Sequence, residues 1–298
     1  MHFKSSLSNL NISIVILNKN KRTVYISTKD YLKSKEDFQL LFDSDKQILI
    51  TSPQPDQDKL GSYYEDQSYI SHSDNKKGIV PFVYYLVKKR TIRKKTRLIN
   101  KKLGRIGTLL DIGIGTGDFI LSAKEQGWDV SGIEPSDKAR GQASNKGLDV
   151  KKGLGDISHK SYDVITLWHV LEHLPGLQRT IEQIESMLNP GGILIVAVPN
   201  FRSFDAKHYK EHWAAYDVPR HLWHFSRESM KKLFSKDLVM ISKLPMIFDS
   251  FYVSLLSEKY KGNRLAIPKA FLVGLWSNIS AWKTKEYSSL IYCFKKQI

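Results

Sequence analysis

"LLDIGIGTGDF", residues 109–119, joins an apolar run to a helical pattern through glycines at positions 113, 115 and 117. Such a run reads as a buried strand, and glycines at its end let the backbone turn tightly and approach a ligand closely. The helical stretch that follows, DFILSAKEQG, presents free N–H groups at the same corner. The unit then repeats. WDVSGIEP (128–135) reads as a second strand, SDKARGQASNKG as a helix capped by Ser136, and LDVKKG as a third strand. SYDVITLW (161–168) and ILIVAVP (193–199) read as a fourth and fifth, separated by LQRTIEQIESMLNPGG, a helix that Pro190 and Gly191 are expected to stop. SRESMKKLFS reads as a capped helix, LVMISKLPMI as a strand and EYSSLIYCFKK as a terminal strand. Near-continuous Val, Ile and Leu runs suit strands covered by helices on both faces. The expected fold is α/β and doubly wound.

In such a sheet, ligands bind outside the carboxyl ends of the strands. The first strand ends in Asp111, Gly113, Gly115 and Gly117; Glu134, seventeen residues further on, ends the second. A carboxylate there can accept the hydroxyl hydrogens of a ribose. Asp156, in GLGDIS, falls in a third loop, within reach of an adenine amino group. A glycine triplet alone is a weak signal, but with acids after strands two and three it forms a strong set for a nucleoside-containing cofactor. The loop is neither G-x-G-x-x-G nor a phosphate loop ending in G-K-[ST]. Asp111 before it and Asp118 after it would repel a pyrophosphate. They suit a ligand carrying an ammonium and a sulfonium, which favours S-adenosylmethionine.

The motifs LLDIGIGTGDF, GIEPS, GDI, YDVITLWHVLEHLP and LNPGGILIVAVPN, in that order, resemble those of class I S-adenosylmethionine-dependent methyltransferases over roughly residues 105 to 245. The nearer likeness is to the branch of ubiquinone-type O-methyltransferases and uncharacterised bacterial methyltransferases. The resemblance implies a Rossmann-like seven-stranded methyltransferase sheet whose last strand is antiparallel. It implies that Asp111, Gly113, Gly115 and Gly117 cradle the methionine part of the cofactor. Glu134 would hold the ribose, with Pro135 and Ser136 beside it. Asp156 and Ile157 would border the adenine, and Trp168 and His169 would close the crevice. Several members of that branch carry a cysteine-rich zinc knuckle near the N-terminus; Cys293 is the single cysteine here, so this chain does not.

WHVLEHLPG (168–176) contains His169-x-x-Glu172-His173, the inverted zinc-protease signature. It follows a buried strand and does not open an amphipathic helix, so it reads as the turn after strand four. In the resembling O-methyltransferases this stretch carries acidic and histidine residues thought to bind a divalent ion. Glu172 and His173 match them, whereas His169 replaces an acid, and magnesium prefers oxygen ligands. A divalent metal therefore stays open, with a hydrogen-bonded, packed His173 as the alternative. His169 faces the expected acceptor space and is the first choice as general base. HWAAYDVPRHLWHF (212–225) is the second dense cluster. Trp213, Tyr216 and Arg220 are candidate substrate contacts, and His221 or His224 candidate proton acceptors. The rival reading is a buried Asp217–Arg220 pair clamping the segment, with the aromatics as core.

The chain has 298 residues, 41% hydrophobic and 26% charged, and a formal net charge of +16. That is globular composition, without an apolar run of the ~20 residues a membrane-spanning helix needs. Residues 1–80 are expected to form an N-terminal cap or extension and 81–298 the methyltransferase domain, with 246–285 inserted before the last strand. The first 22 residues read as a strand and not a cleaved leader, and the single cysteine suits a cytoplasmic setting. KKRTIRKKTRLINKKLGR (88–105) holds ten basic residues and no acidic one. Within a helix expected from Pro81 to Leu103, Tyr85, Ile92, Ile99 and Leu103 form a packing stripe while the cations face water. The same cations can attract nucleic acid or an anionic membrane surface. Three functions follow: methylation of a small molecule or lipid precursor, with O-methylation favoured; methylation of RNA or protein through the basic helix; or non-catalytic binding of a cofactor or partner. An NPPY-type motif of base-amine methylation is missing after strand four. Within 246–285, Phe248, Phe251, Tyr252, Leu255 and Leu256 either line an acceptor pocket or pack.

Overall fold

The computed structural model describes residues 22–64, 79–157 and 161–298. Of the cap expected over residues 1–80, residues 1–21, which hold most of the first expected strand, and residues 65–78 lie outside the described residues, as does the side chain of Tyr85.

Five parallel strands form the centre: β4 (Thr108–Ile112), β5 (Asp129–Ile133), β6 (Val150–Lys151), β7 (Tyr162–Trp168) and β8 (Leu188–Pro199). β11 (Ser289–Lys296) runs antiparallel between β8 and β10 (Leu238–Pro245). The order is β10-β11-β8-β7-β4-β5-β6, so this is the doubly wound seven-stranded sheet with its last strand reversed. Alternate residues along the strands feed two cores, as a period of two requires. Leu110, Ile112, Ile165, Leu167 and Val196 face one side; Leu109, Val164, Ile193, Ile195 and Cys293 face the other. β4 and β5 stop where glycines and an acid begin, which leaves the site at the carboxyl end of the sheet.

Helices cover both faces. α2 (Ile79–Leu103) begins two residues before Pro81, which falls in the first turn, where a missing N–H is tolerated. Its Thr96 and Ile99 are buried while Lys89, Arg90, Arg93, Lys94 and Arg97 are exposed. α3 (Asp118–Lys124) and α4 (Asp137–Ser144) follow the glycine turn and β5, and Ser136 caps α4 by accepting the Ala139 N–H. α5 (Leu177–Ser186) buries Leu177, Ile181 and Ile184. It ends before Pro190 and Gly191, which belong to β8. The β7–β8 register jumps from Tyr162↔Leu188 to Val164↔Ile193, and the bulge takes up Asn189–Gly192.

β1 (Arg22–Lys29), β2 (Asp37–Asp43) and β3 (Ile48–Ser52) form a second, antiparallel sheet, with a helical turn, α1 (Gln57–Leu60), after it. Its fourth strand, β9 (Trp223–His224), comes from the aromatic 212–225 segment. Ile48 and Ile50 also join the core of the main sheet, which binds the two sheets together. α6 (Phe204–Tyr209) and α7 (Arg227–Lys232) flank that segment. α8 (Asp249–Tyr260) and α9 (Ala266–Thr284) lie between β10 and β11 and pack on each other through Phe251 and Gly274. Of the aromatics expected there, Phe251 stacks near Phe271, whereas Phe248 and Tyr252 are exposed. Among the described residues no helix is long and apolar enough to cross a membrane.

Candidate active site

At the end of β4 the chain turns through Gly113 (φ 76°), Gly115 (φ 56°) and Gly117 (φ 79°), all in the left-handed region. A Cβ on Gly113 would lie 2.4 Å from Val170 Cγ2, so the turn after β7 rests directly on this glycine. A Cβ on Gly115 would meet nothing within 4 Å. Its backbone therefore borders open space that a side chain would fill, the requirement of a ligand cradle.

Glu134 folds back from the end of β5 over the same turn. Its Oε2 accepts the Gly115 N–H at 2.8 Å and its Oε1 the Ser136 N–H at 2.9 Å. Each oxygen keeps a lone pair for a hydroxyl donor. Pro135 is exposed beside it. Asp156, also exposed, accepts the Gly153 N–H at 2.9 Å, and the adjacent Ile157 packs partly buried on the core. Because β4, β5 and β6 are neighbours, Gly115, Glu134 and Asp156 all follow adjacent strand ends.

Asp111 lies deeper. It is 3% exposed and accepts the Thr166 hydroxyl at 2.5 Å. Burial pushes its carboxyl up to about 7, against the opposing pull of Lys95 and Thr166. Lys95 comes from α2, with Nζ 4.3 Å from the Trp168 ring centroid and 5.6 Å from that of Phe119. Burial lowers its ammonium to about 8, although Asp111 and Asp249 act the other way. A buried acid and a half-buried base thus lie at the crevice wall together. Sequence reasoning counted Lys95 as one more surface cation. The available signal was its place on the stripe, three residues after Ile92 and four before Ile99. Trp168 meets Phe119 edge-on at 5.8 Å, and its Nε1 is buried without a hydrogen-bond partner.

His169 stands at the mouth with a left-handed backbone (φ 57°). Its Nδ1 is 3.4 Å from Glu172 Oε1 and its Nε2 3.1 Å from Asp249 Oδ2, at the start of α8. Burial opposes the imidazolium, but hydrogen bonding to Asp249 and Glu172 outweighs it and raises the ring to about 10. The general base expected here is instead a cation at neutral pH, with both nitrogens engaged. Asp249, eighty residues away, gave no local sign of this role.

The 212–225 segment forms a wall behind the mouth. Arg220 is 1% exposed, and its Nη2 pairs with Asp30 Oδ1 at 2.8 Å and Asp217 Oδ1 at 2.7 Å. Its guanidinium is spent on that clamp, which joins the segment to the turn after β1; it does not reach toward the crevice as a substrate grip. Trp213 donates its Nε1–H to Asp205 Oδ2 at 2.8 Å and meets Tyr216 edge-on at 4.9 Å, both rings being buried. Trp213, Tyr216 and Arg220 line a small pocket with Tyr31 and Tyr260. The two candidate proton acceptors are also buried. His224 Nε2 lies 3.1 Å from Thr51 Oγ1, and burial pushes its ring down to about 3. His221 Nδ1 lies 2.9 Å from the Ala215 carbonyl, and burial holds this ring well below the ordinary value. Both rings are neutral. Among the described residues, Glu172, His173 and His221 bring ligand atoms within 4.8 Å of one another; His169 is not in that group.

A family model described as a methyltransferase domain matches residues 85–237, more than half of the chain. The chain belongs to this methyltransferase family. The ubiquinone biosynthesis O-methyltransferase of Azoarcus sp. (strain BH72) is 33% identical over 108 residues, covering 33% of this chain and 46% of that protein. An uncharacterized methyltransferase of Alkaliphilus oremlandii (strain OhILAs) is 31% identical over 107 residues, covering 34% and 50%. The chain thus spans about half the length of the curated relatives it matches. Among solved structures, the plantazolicin methyltransferase BpumL in complex with SAH superposes with a TM-score of 0.51 at 17% identity, over 80% of this chain and 94% of that one. That likeness concerns the methyltransferase fold alone.

Proposed function

We propose that the protein is an S-adenosylmethionine-dependent methyltransferase acting on a small molecule or lipid precursor, with an oxygen as the favoured acceptor. The observation that carries this reading is the union of an open Gly115 backbone with Glu134, held directly over it by the Gly115 N–H. The SAH held by the plantazolicin methyltransferase BpumL, and the likeness to the ubiquinone biosynthesis O-methyltransferase of Azoarcus, support it.

The bound cofactor supplies a methyl group on a sulfonium, already a good leaving group, so the protein's task is alignment. Glu134 would accept the ribose hydroxyls, while Lys95 would pair with the methionine carboxylate and Asp111 with the ammonium, one end of the zwitterion for each. The Trp168 ring walls the crevice. His169 draws the start of α8 against the turn after β7 and so shapes the acceptor's entrance. Its Nδ1 faces Glu172 and its Nε2 faces Asp249, so it orients groups and does not abstract a proton. Trp213, Tyr216 and Arg220 support this wall from behind.

The exposed cations of α2 favour a second reading, in which RNA or a protein is the acceptor. Tritiated-methyl transfer from S-adenosylmethionine into fractionated extract separates the two. Label in small metabolites or lipids is expected, and label confined to RNA or protein replaces the first reading by the second. Undetectable cofactor binding by calorimetry removes both in favour of a non-catalytic module.

A further inference from the structure

We propose that α9, with the start of α8 beside it, is a docking surface for an anionic lipid bilayer, on which the protein lies without crossing it. The burial of α9 reverses that of an ordinary surface helix. Its inward residues are small: Ala270, Gly274, Ser277 and Ala281 are buried. A Cβ on Gly274 would lie 2.7 Å from Phe251 Cδ1, so α8 packs flush against this small face. The large side chains stand on the other side. Ile267, Phe271, Leu272, Leu275, Trp276 and Trp282 are 40% to 75% exposed. A helix that packs through Ala and Gly and presents Phe, Leu and Trp to water can bury its apolar surface only against something outside the chain.

The patch extends beyond the helix. Asn278 Nδ2 donates to the Ile247 carbonyl at 2.9 Å, which brings Ile247 and Phe248, both exposed, alongside α9. Lys94 of α2 has its Nζ 5.8 Å from the Phe248 ring centroid. The apolar face therefore meets the cationic face of α2 at that ring. Phe248 directly precedes Asp249, whose Oδ2 lies 3.1 Å from His169 Nε2, so the patch borders the mouth of the crevice.

Charge decides the occupant. Residues 246–286 hold three acids, Asp249, Glu258 and Glu286. Each is engaged: Asp249 with His169, Glu258 with Tyr209 and Asn263, Glu286 with Arg227. The six cations of the same stretch, Lys259, Lys261, Arg264, Lys269, Lys283 and Lys285, are all exposed. A second copy of the chain would set like charge against like charge across this face. An anionic bilayer attracts the cations and takes the apolar rings into its headgroup boundary, where tryptophan is well accommodated. The long stems of Lys269 and Lys283, on α9 itself, let their ammonium groups reach the headgroups while the helix lies flat. Among the described residues no helix is long and apolar enough to span a membrane, so the mode is surface docking.

The test sediments the full chain with sucrose-loaded vesicles of phosphatidylcholine alone, or of phosphatidylcholine with an equal part of phosphatidylglycerol. Binding to the anionic vesicles is expected to be about tenfold tighter or more, and to weaken with salt. Lipids brominated along the acyl chain are expected to quench the tryptophan fluorescence. Phe271→Ser combined with Trp276→Ser should weaken vesicle binding on the order of a hundredfold, and Lys269→Gln combined with Lys283→Gln about thirtyfold. A wild-type chain that ignores anionic vesicles overturns the proposal. So does full vesicle binding by the first variant, which assigns the attraction to α2 alone. A wild-type dimer in sedimentation equilibrium that the same variant dissociates overturns it in favour of a second copy. Where a variant fails to fold by circular dichroism, the brominated lipids decide on the wild type: quenching supports the docking surface and its absence overturns it. None of these readouts needs a cofactor or a methyl acceptor, so failure here leaves the methyltransferase reading intact.

Discussion

Asp111 and Lys95 set opposite limits on the pH range in which a zwitterionic ligand binds. Below about 7 the Asp111 carboxyl is neutral and cannot pair with an ammonium; above about 8 the Lys95 amine is neutral and cannot pair with a carboxylate. S-adenosylmethionine affinity by calorimetry is therefore expected to peak between those values and to fall by up to about tenfold per pH unit on either side. Lys95→Met should remove the alkaline limb and weaken binding by about 1.5–3 kcal/mol, and Glu134→Ala should weaken it by a similar amount with no alkaline effect. His169 gives a second pH signature. Its folded value is raised from 6.5 to about 10, so its stabilising contribution is complete below pH 6.5 and is lost as pH rises toward 10. Urea midpoints of wild type and His169→Gln should differ at pH 6 and converge near pH 10. The motif made His169 legible as a site residue, but its protonation state depends on Asp249, which no local pattern connects to it.

At the scale of elements, the decisive tie is between the turn after β1 and the segment that supplies β9. Asp30 is fully buried, and besides Arg220 it accepts the N–H groups of Leu32, Lys33 and Ser34. Burial works against its charge, but Arg220 and these amides prevail and hold the carboxyl down at about 2. Asp30→Asn leaves Arg220 short of a partner and is expected to cost about 3–5 kcal/mol in denaturant unfolding. A depressed carboxyl stabilises above its unfolded value, so in the wild type this contribution should fade as pH falls from about 4 toward 2. The strands and helices around the glycine turn were legible because propensity, periodicity and glycine placement agree there. The Asp30–Arg220 tie was not, because it closes a loop of 190 residues and neither partner's neighbours mark it. The expected end of α5 moved for a local reason: a bulge accommodates Pro190 and Gly191 inside β8.

For the whole molecule, the charge of +16 has a measurable consequence separate from catalysis. Lys89, Arg90, Arg93, Lys94 and Arg97 are all exposed on α2. Five phosphate contacts on a single strand give a slope of about −3.5 in log K against log salt, so oligonucleotide affinity should fall about a hundredfold between 50 and 200 mM salt. Fluorescence anisotropy checks this, and a flat response would show that these cations do not engage phosphates. The seven-stranded sheet with its antiparallel last strand followed from the resemblance and from the buried runs of β7 and β8, whereas the strand order and the union of the N-terminal strands with β9 depended on contacts that only the folded chain reveals.

β11 enters the sheet between β8 and β10, yet it is made after α8 and α9. On the ribosome, β8 therefore waits with a bare edge and β10 has no neighbour until residues 289–296 have emerged. A nascent chain stalled just short of that point exposes an aggregation-prone border through its whole dwell time, which makes chaperone dependence during synthesis a property of strand order and not of overall stability.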